Sequence, residues 1–164
     1  MKKLVYLSLG SNLGDREKHL REAISRLRDL GAIRQISAFY ETQPVEVSTE
    51  QPWFLNSALA LETELPAQEF LSGMLAVEQS MGRIRKEPKG PRIIDIDILL
   101  FGNNVLDTPE LTVPHPAMHQ RRFVLEPLAE IAAEVVHPLF KHTVRQLLDS
   151  LPADSGLVKK LRPK

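Results

Sequence analysis

The stretch Arg83–Phe101, RIRKEPKGPRIIDIDILLF, decides how the chain is read, because a cationic segment runs directly into a strand that carries two carboxylates. From Arg83 to Arg92 stand five cations (Arg83, Arg85, Lys86, Lys89, Arg92) against one anion, Glu87. Pro88, Gly90 and Pro91 oppose a continuing helix, so this part reads as a loop. IIDIDILLF is β-branched and apolar and reads as a buried strand. Side chains alternate along a strand, so Asp95 and Asp97 share one face while Ile94, Ile96 and Ile98 share the other. The carboxylates then stand roughly 7 Å apart. Two hard dications about 4 Å apart fit between them, as in two-metal phosphoryl transfer, and arginine forks suit the phosphate oxygens alongside. An isolated D-x-D more often belongs to a surface ion-pair cluster. Here the apolar strand, where unpaired charge is costly, and the adjoining cations argue for a site.

Composition narrows the classes. A chain of 164 residues with 43% hydrophobic and 26% charged content reads as one globular domain, 1–164. Lys plus Arg and Asp plus Glu are both 21, so no global field draws the protein to nucleic acid, and a nucleic-acid binder would also want more than 5% aromatics. Without cysteine there are no disulfides or thiolate metal sites, which fits a reducing cytoplasm. The apolar run near the start is too short for a signal peptide, and no stretch approaches the roughly 20 apolar residues of a membrane span. The expectation is a cytoplasmic domain without membrane or nucleic-acid partners. With no heptad or apolar patch in view, a monomer is expected.

Outward from the acidic strand, Leu4–Leu9 reads as a first strand and Arg16–Leu30 as a helix capped by Asp15, burying Leu20, Ala23, Ile24, Leu27 and Leu30 and ended by Gly31. GSNLGD between them lacks the Gly-Lys-Ser/Thr ending of a phosphate loop and reads as a tight turn. Ile33–Tyr40 reads as a second strand, followed by a polar loop with two prolines, and Phe54–Thr63 as a third. On that strand Asn56 is the polar member of a small apolar face; it suits either a loop hydrogen bond or recognition of a ligand's amide edge. Pro66 opens a helix with Phe70, Leu71, Met74, Leu75 and Met81 as its buried stripe. Glu78 falls on that apolar face and needs a partner, the next loop's arginines being the natural candidates; it serves either a structural pair or a polar site wall. Gly102–Asn104 reads as a hairpin turn. His115, between two prolines, is open to a structural or a site role, and His115 with His119 lacks a third zinc ligand. Leu125–Ala132 and Thr143–Leu151 read as helices, and the cationic tail Lys159–Lys164 as frayed.

YLSLGSNLGD (6–15), FYETQPV (39–45), QPWFLNSALALET (51–63), E-x4-R-x-R from Glu78, GPRIIDIDILLFG (90–102) and LTVPHPAMHQRRFVLEPLAEIAAE (111–134) together resemble the 6-hydroxymethyl-7,8-dihydropterin pyrophosphokinase family of folate biosynthesis. The resemblance runs from about Leu4 to Leu151. It implies a ferredoxin-like α+β fold, an antiparallel sheet with helices on one face and a ligand cleft on the other, in agreement with the strand–helix–strand–strand–helix–strand order. It implies transfer of a diphosphate from ATP to the hydroxymethyl group of the dihydropterin, releasing AMP. By that resemblance Asp95 and Asp97 hold two Mg²⁺ ions, and Glu78, Arg85, Ile98, Thr112, His115 and Arg121 bind ATP. Arg83 and Arg92 stand on loops that close over the transferring group and support catalysis. The pterin stacks between Phe54 and Phe123, with Asn56, Thr42 and the backbone at Val45 reading its edge.

The alcohol nucleophile belongs to the substrate, so alignment and charge stabilisation suffice without a serine or cysteine nucleophile. Several positions depart from the family pattern. Lys89 stands where many members have tryptophan, the loop Arg85–Gly90 is one residue shorter than in some, Phe54 replaces a frequent tyrosine, and Pro116 occupies a variable place. These bear on adenine contacts and loop dynamics. The competing class is a non-catalytic nucleotide- or pterin-binding module on the same fold. It predicts loss of a charged catalytic position, whereas Arg83, Arg92, Asp95 and Asp97 are all present.

Overall fold

The computed structural model describes residues 2–43, 52–82, 92–153 and 158–161. The expected sites at Val45, Arg83, Arg85 and Lys89 lie outside the described residues. The chain runs β1 (Lys3–Ser11), α1 (Arg16–Leu27), β2 (Ala32–Ile36), β3 (Tyr40–Thr42), β4 (Phe54–Thr63), α2 (Ala67–Ser80) and β5 (Asp95–Phe101). It continues through β6 (Leu106–Asp107), β7 (Thr112–Val113), α3 (Arg122–Ala132), α4 (Val144–Asp149) and β8 (Val158–Lys160). The strands form an antiparallel sheet in the order β5-β1-β4-β3-β8, with β2 pairing β4 ahead of β3. This is the expected α+β ferredoxin-like order.

Period-2 alternation sorts the sheet into two faces. Val5, Leu7, Leu9, Leu55, Leu59, Leu61, Ile96 and Ile98 face α1 and α2, which supply Leu20, Ala23, Ile24, Leu27, Phe70, Leu71, Met74 and Val77. Phe70 and Phe101 meet edge to face at 5.8 Å. On the opposite face Ala58 and Ala60 are small enough for α3 to approach, and Tyr6 and Leu100 join the same cluster with α4. The C-terminal helices thus cover part of the second face, while Ser8, Gly10, Asn56, Asp95 and Asp97 occupy its other end.

Several local expectations change. The strand expected over 33–40 breaks at 37–39, because Ser37 exchanges bonds with Ala58 through both its backbone and its hydroxyl: Ser37 N–H donates to Ala58 O at 2.9 Å, and Ala58 N–H to Ser37 Oγ at 2.8 Å. The first helix keeps its Asp15 cap, which accepts from Lys18 N–H at 3.2 Å, but ends at Leu27 in a 3₁₀ turn, Arg28–Leu30. Gly31 is extended rather than left-handed; a Cβ there would lie 2.2 Å from the Glu62 carbonyl oxygen, so close backbone approach demands the glycine. Leu75 is 40% exposed, and Val77 takes its place in the α2 stripe. The turn at Gly102 does not fold the chain back onto β5, since β6 pairs β7. Thr143 caps α4 in a reciprocal box with Gln146. The tail is not simply frayed: β8 adds to the edge of β3, with Lys160 opposite Tyr40 and Leu161 N–H donating to Phe39 O. No described helix is long and apolar enough to cross a membrane.

Candidate active site

Strand register assembles the site. Gly10 on β1 stands opposite Asp95 on one side and Asn56 on the other, and Ser8 stands opposite Asp97. Asp95 and Asn56 therefore share a face about 10 Å apart, two strand spacings, with Gly10 between them. A Cβ on Gly10 would lie 2.6 Å from Asn56 Nδ2 and 3.4 Å from Phe54 Cδ1, so only glycine leaves this floor open.

At the β4 end, Asn56 and Thr42 are both buried. The Thr42 hydroxyl donates to Asn56 Oδ1, and Asn56 Nδ2 donates to the Leu9 carbonyl at 3.2 Å. These strand partners, not a loop, fix the amide plane. They leave the second N–H and a lone pair of the amide outside both contacts. Phe54 lies two residues earlier on the same face, and Phe123 stands in the first turn of α3 with the Arg121 guanidinium 5.6 Å from its ring.

At the β5 end, Arg92 Nη1 donates to Asp95 Oδ2 at 3.0 Å, while Arg92 Nε is buried without a hydrogen-bond partner among the described residues. His115 is fastened to the edge of β5 by its N–H to the Leu99 carbonyl, and its Nε2 lies 4.0 Å from Asp97 Oδ1. Burial, reinforced by Arg121 and opposed by Asp95, pushes its pKa down to about 4. Its Nδ1 accepts the Ala117 N–H at 3.1 Å, so the neutral ring carries its proton on Nε2, facing Asp97. Thr112 is exposed on β7, its hydroxyl 3.4 Å from Asp107.

Glu78 is 2% exposed and accepts the Ile96 N–H at 2.7 Å, a backbone partner on β5; the loop arginines Arg83 and Arg85 expected beside it lie outside the described residues. That bond places the Ile96 backbone on the outer edge of β5. Alternation places the Ile98 backbone on the same edge, while its side chain lies in the core beneath the helices. Any contact of Ile98 with a ligand is therefore through its main chain. A groove of about 740 Å³ beside α1, lined by Arg21, Arg28 and Phe39, includes none of these residues. Sequence reasoning missed Gly10 and Asn12, both inside the segment taken for a plain turn.

No group of three or more His, Asp or Glu side chains suited to a metal occurs among the described residues. A pair of carboxylates nevertheless fits Mg²⁺, which is held by one or two carboxylates and completes its shell with phosphate oxygens and water. Arg92 Nη1 and His115 Nε2 stand beside Asp95 and Asp97 respectively, so cation and N–H donor flank the acidic pair.

The chain thus has a ferredoxin-like α+β sheet with an acidic pair, flanking cations and a preset amide on one face, an arrangement chemically suited to a phosphorylated ligand. The family described as 7,8-dihydro-6-hydroxymethylpterin-pyrophosphokinase (HPPK) matches residues 6–133, and the chain belongs to it. The 2-amino-4-hydroxy-6-hydroxymethyldihydropteridine pyrophosphokinase of Bacillus subtilis is 44% identical over 137 residues, covering 82% of this chain and 81% of that protein. Its counterpart in Methylorubrum extorquens is 42% identical over 148 residues, 89% and 92% of the two chains. The folic acid synthesis protein fol1 of Schizosaccharomyces pombe is 39% identical over 153 residues, 92% of this chain but 21% of that one. A Plasmodium falciparum HPPK-DHPS structure shares the fold, with a TM-score of 0.74 at 17% identity, over 91% of this chain and 45% of that one. This chain thus spans a fraction of the longer relatives and most of the bacterial ones.

Proposed function

We propose that the chain transfers the diphosphoryl group of ATP to the hydroxymethyl oxygen of 6-hydroxymethyl-7,8-dihydropterin, releasing AMP, in folate biosynthesis. The observation that carries the assignment of roles is the shared face of Asp95, Asp97 and Asn56 with Gly10 between them. In this reading Asp95 and Asp97 hold two Mg²⁺ ions, whose charge offsets that of the phosphate oxygens. Asn56, preset by Thr42 and Leu9, reads the pterin edge together with the Val45 backbone, and Phe54 and Phe123 stack on its faces.

The substrate hydroxyl forms the new bond to the β-phosphorus and gives up its proton to water, as the bond from that phosphorus to the α–β bridging oxygen breaks and that oxygen leaves with AMP. Arg92, with Arg83, screens the charge on the moving group. His115 donates Nε2–H to a phosphate oxygen without changing charge, and Arg121, Arg85 and Thr112 hold the nucleotide. Glu78 contributes by pinning the β5 edge whose Ile98 main chain borders the base. We place this work in the cytoplasm and in a monomer. Retention of Asp95, Asp97 and Arg92 favours turnover over a lapsed binding module.

Incubation with ATP, Mg²⁺ and the dihydropterin tests the reading. Pterin-dependent AMP release, abolished by chelation and by the Asp95→Ala/Asp97→Ala double substitution, is expected. AMP release that persists in the double variant contradicts the assigned metal site.

A further inference from the structure

Asn12 lies one residue beyond β1, in the GSNLGD turn, yet is only 1% exposed. Its N–H donates to the Arg92 carbonyl at 3.1 Å, and its Oδ1 accepts the Arg92 N–H at 2.8 Å. The side-chain amide thus completes a reciprocal pair where the β1–β5 ladder has ended. Its Nδ2 donates to the Pro52 carbonyl at 3.2 Å. Arg92 in turn binds Asp95, and Pro52 leads within two residues to Phe54 and within four to Asn56. The neighbouring Trp53 carbonyl is held by Arg16, which also pairs with Glu41 beside Thr42.

Building on the pyrophosphokinase reading, we propose that Asn12 is a positioning residue that holds the Arg92–Asp95 pair and the Phe54–Asn56 wall in one frame, so that phosphoryl donor and acceptor meet at the right separation. The chemistry at this branch point calls for an acceptor toward Arg92 and a donor toward Pro52 on one short side chain. Asparagine supplies both, aspartate only the acceptor, alanine neither. Misplacement of about 1 Å between reacting groups costs on the order of 100-fold in rate, so a buried amide far from the transferring phosphorus can govern turnover.

The test is steady-state kinetics of the full chain with Mg²⁺, ATP and the dihydropterin, together with melting temperatures, for the wild type, Asn12→Ala and Asn12→Asp. Absence of pterin-dependent AMP release by the wild type overturns the underlying reading and the proposal with it. With an active wild type, Asn12→Ala is expected to lower kcat roughly 100-fold. Asn12→Asp, which keeps the Arg92 arm and loses the Pro52 arm, is expected to raise KM for the pterin about tenfold with kcat within about threefold of wild type. Wild-type kinetics in Asn12→Asp, whatever its melting temperature and whether or not Asn12→Ala folds, would leave Asn12 a purely structural role and overturn the proposal.

Discussion

Nε2 of His115 stands 4.0 Å from Oδ1 of Asp97, while the other ring nitrogen is committed to the Ala117 amide. The ring therefore offers a hydrogen bond to whatever anion lies against the acidic pair, and does so without bringing a charge. Two neighbouring prolines and the bond to Leu99 leave the side chain few other orientations. His115→Ala should raise KM for ATP about tenfold, the worth of one hydrogen bond to a charged partner, and leave KM for the pterin within about twofold. An equal loss for both substrates in initial-rate measurements would speak against a nucleotide-side role.

Gly10 lines the floor between the two halves of the site. In Gly10→Ala the new methyl meets Asn56 Nδ2, which Thr42 and Leu9 hold in place, so the amide must turn or the strands must part. Pterin affinity should fall by more than tenfold, because a misaligned edge-reading amide leaves polar groups unpaired. Fluorescence titration of the pterin checks this; unchanged affinity would mean that Asn56 does not read the ligand.

Glu78 joins α2 to the edge of β5 through the Ile96 amide. Glu78→Ala strands that buried N–H and should cost about 2 kcal/mol, roughly 6 °C in melting temperature. Glu78→Gln retains an acceptor and should recover much of it. Thermal denaturation of the three proteins orders them wild type, Gln, Ala.

His137 contributes to the acid side of stability alongside His115, whose pKa is also depressed by burial. His137 is 2% exposed, its ring stacks on Phe140 at 4.4 Å, and its Nδ1 accepts the N–H groups of Leu139 and Phe140. Burial lowers its pKa, and the neighbouring His119 pushes the same way. A histidine with a depressed folded pKa binds fewer protons folded than unfolded. Its contribution is complete above the unfolded value of about 6.5 and declines as pH falls below it. The melting temperature should drop between pH 7 and 5, and less steeply in His137→Gln. Parallel slopes for the two proteins would assign the acid loss to other groups.

Much of this architecture is legible from residue spacing. The alternation of IIDIDILLF puts both aspartates on one face, and the same period in FLNSALALET puts Asn56 on the face that later meets Ala58 and Ala60. The helical period places Glu78 among Phe70, Met74 and Val77. What escapes such reading is non-local. The break at Ser37 depends on a hydroxyl finding Ala58 across the sheet, and β8 depends on an open edge of β3. Ile98 reads correctly as a core side chain, yet which edge its main chain faces is set by Glu78 and Ile96. Asn12 looks like turn punctuation because its partners lie 40 and 80 residues away.

The most direct measurement of the central claim is phosphorus NMR of the completed reaction of the wild-type chain with ATP, Mg²⁺ and 6-hydroxymethyl-7,8-dihydropterin. Diphosphoryl transfer predicts AMP together with two mutually coupled phosphorus signals on the pterin product, in equal amounts. ADP with a single phosphoryl signal on the pterin would contradict attack at the β-phosphorus and with it the account of this site.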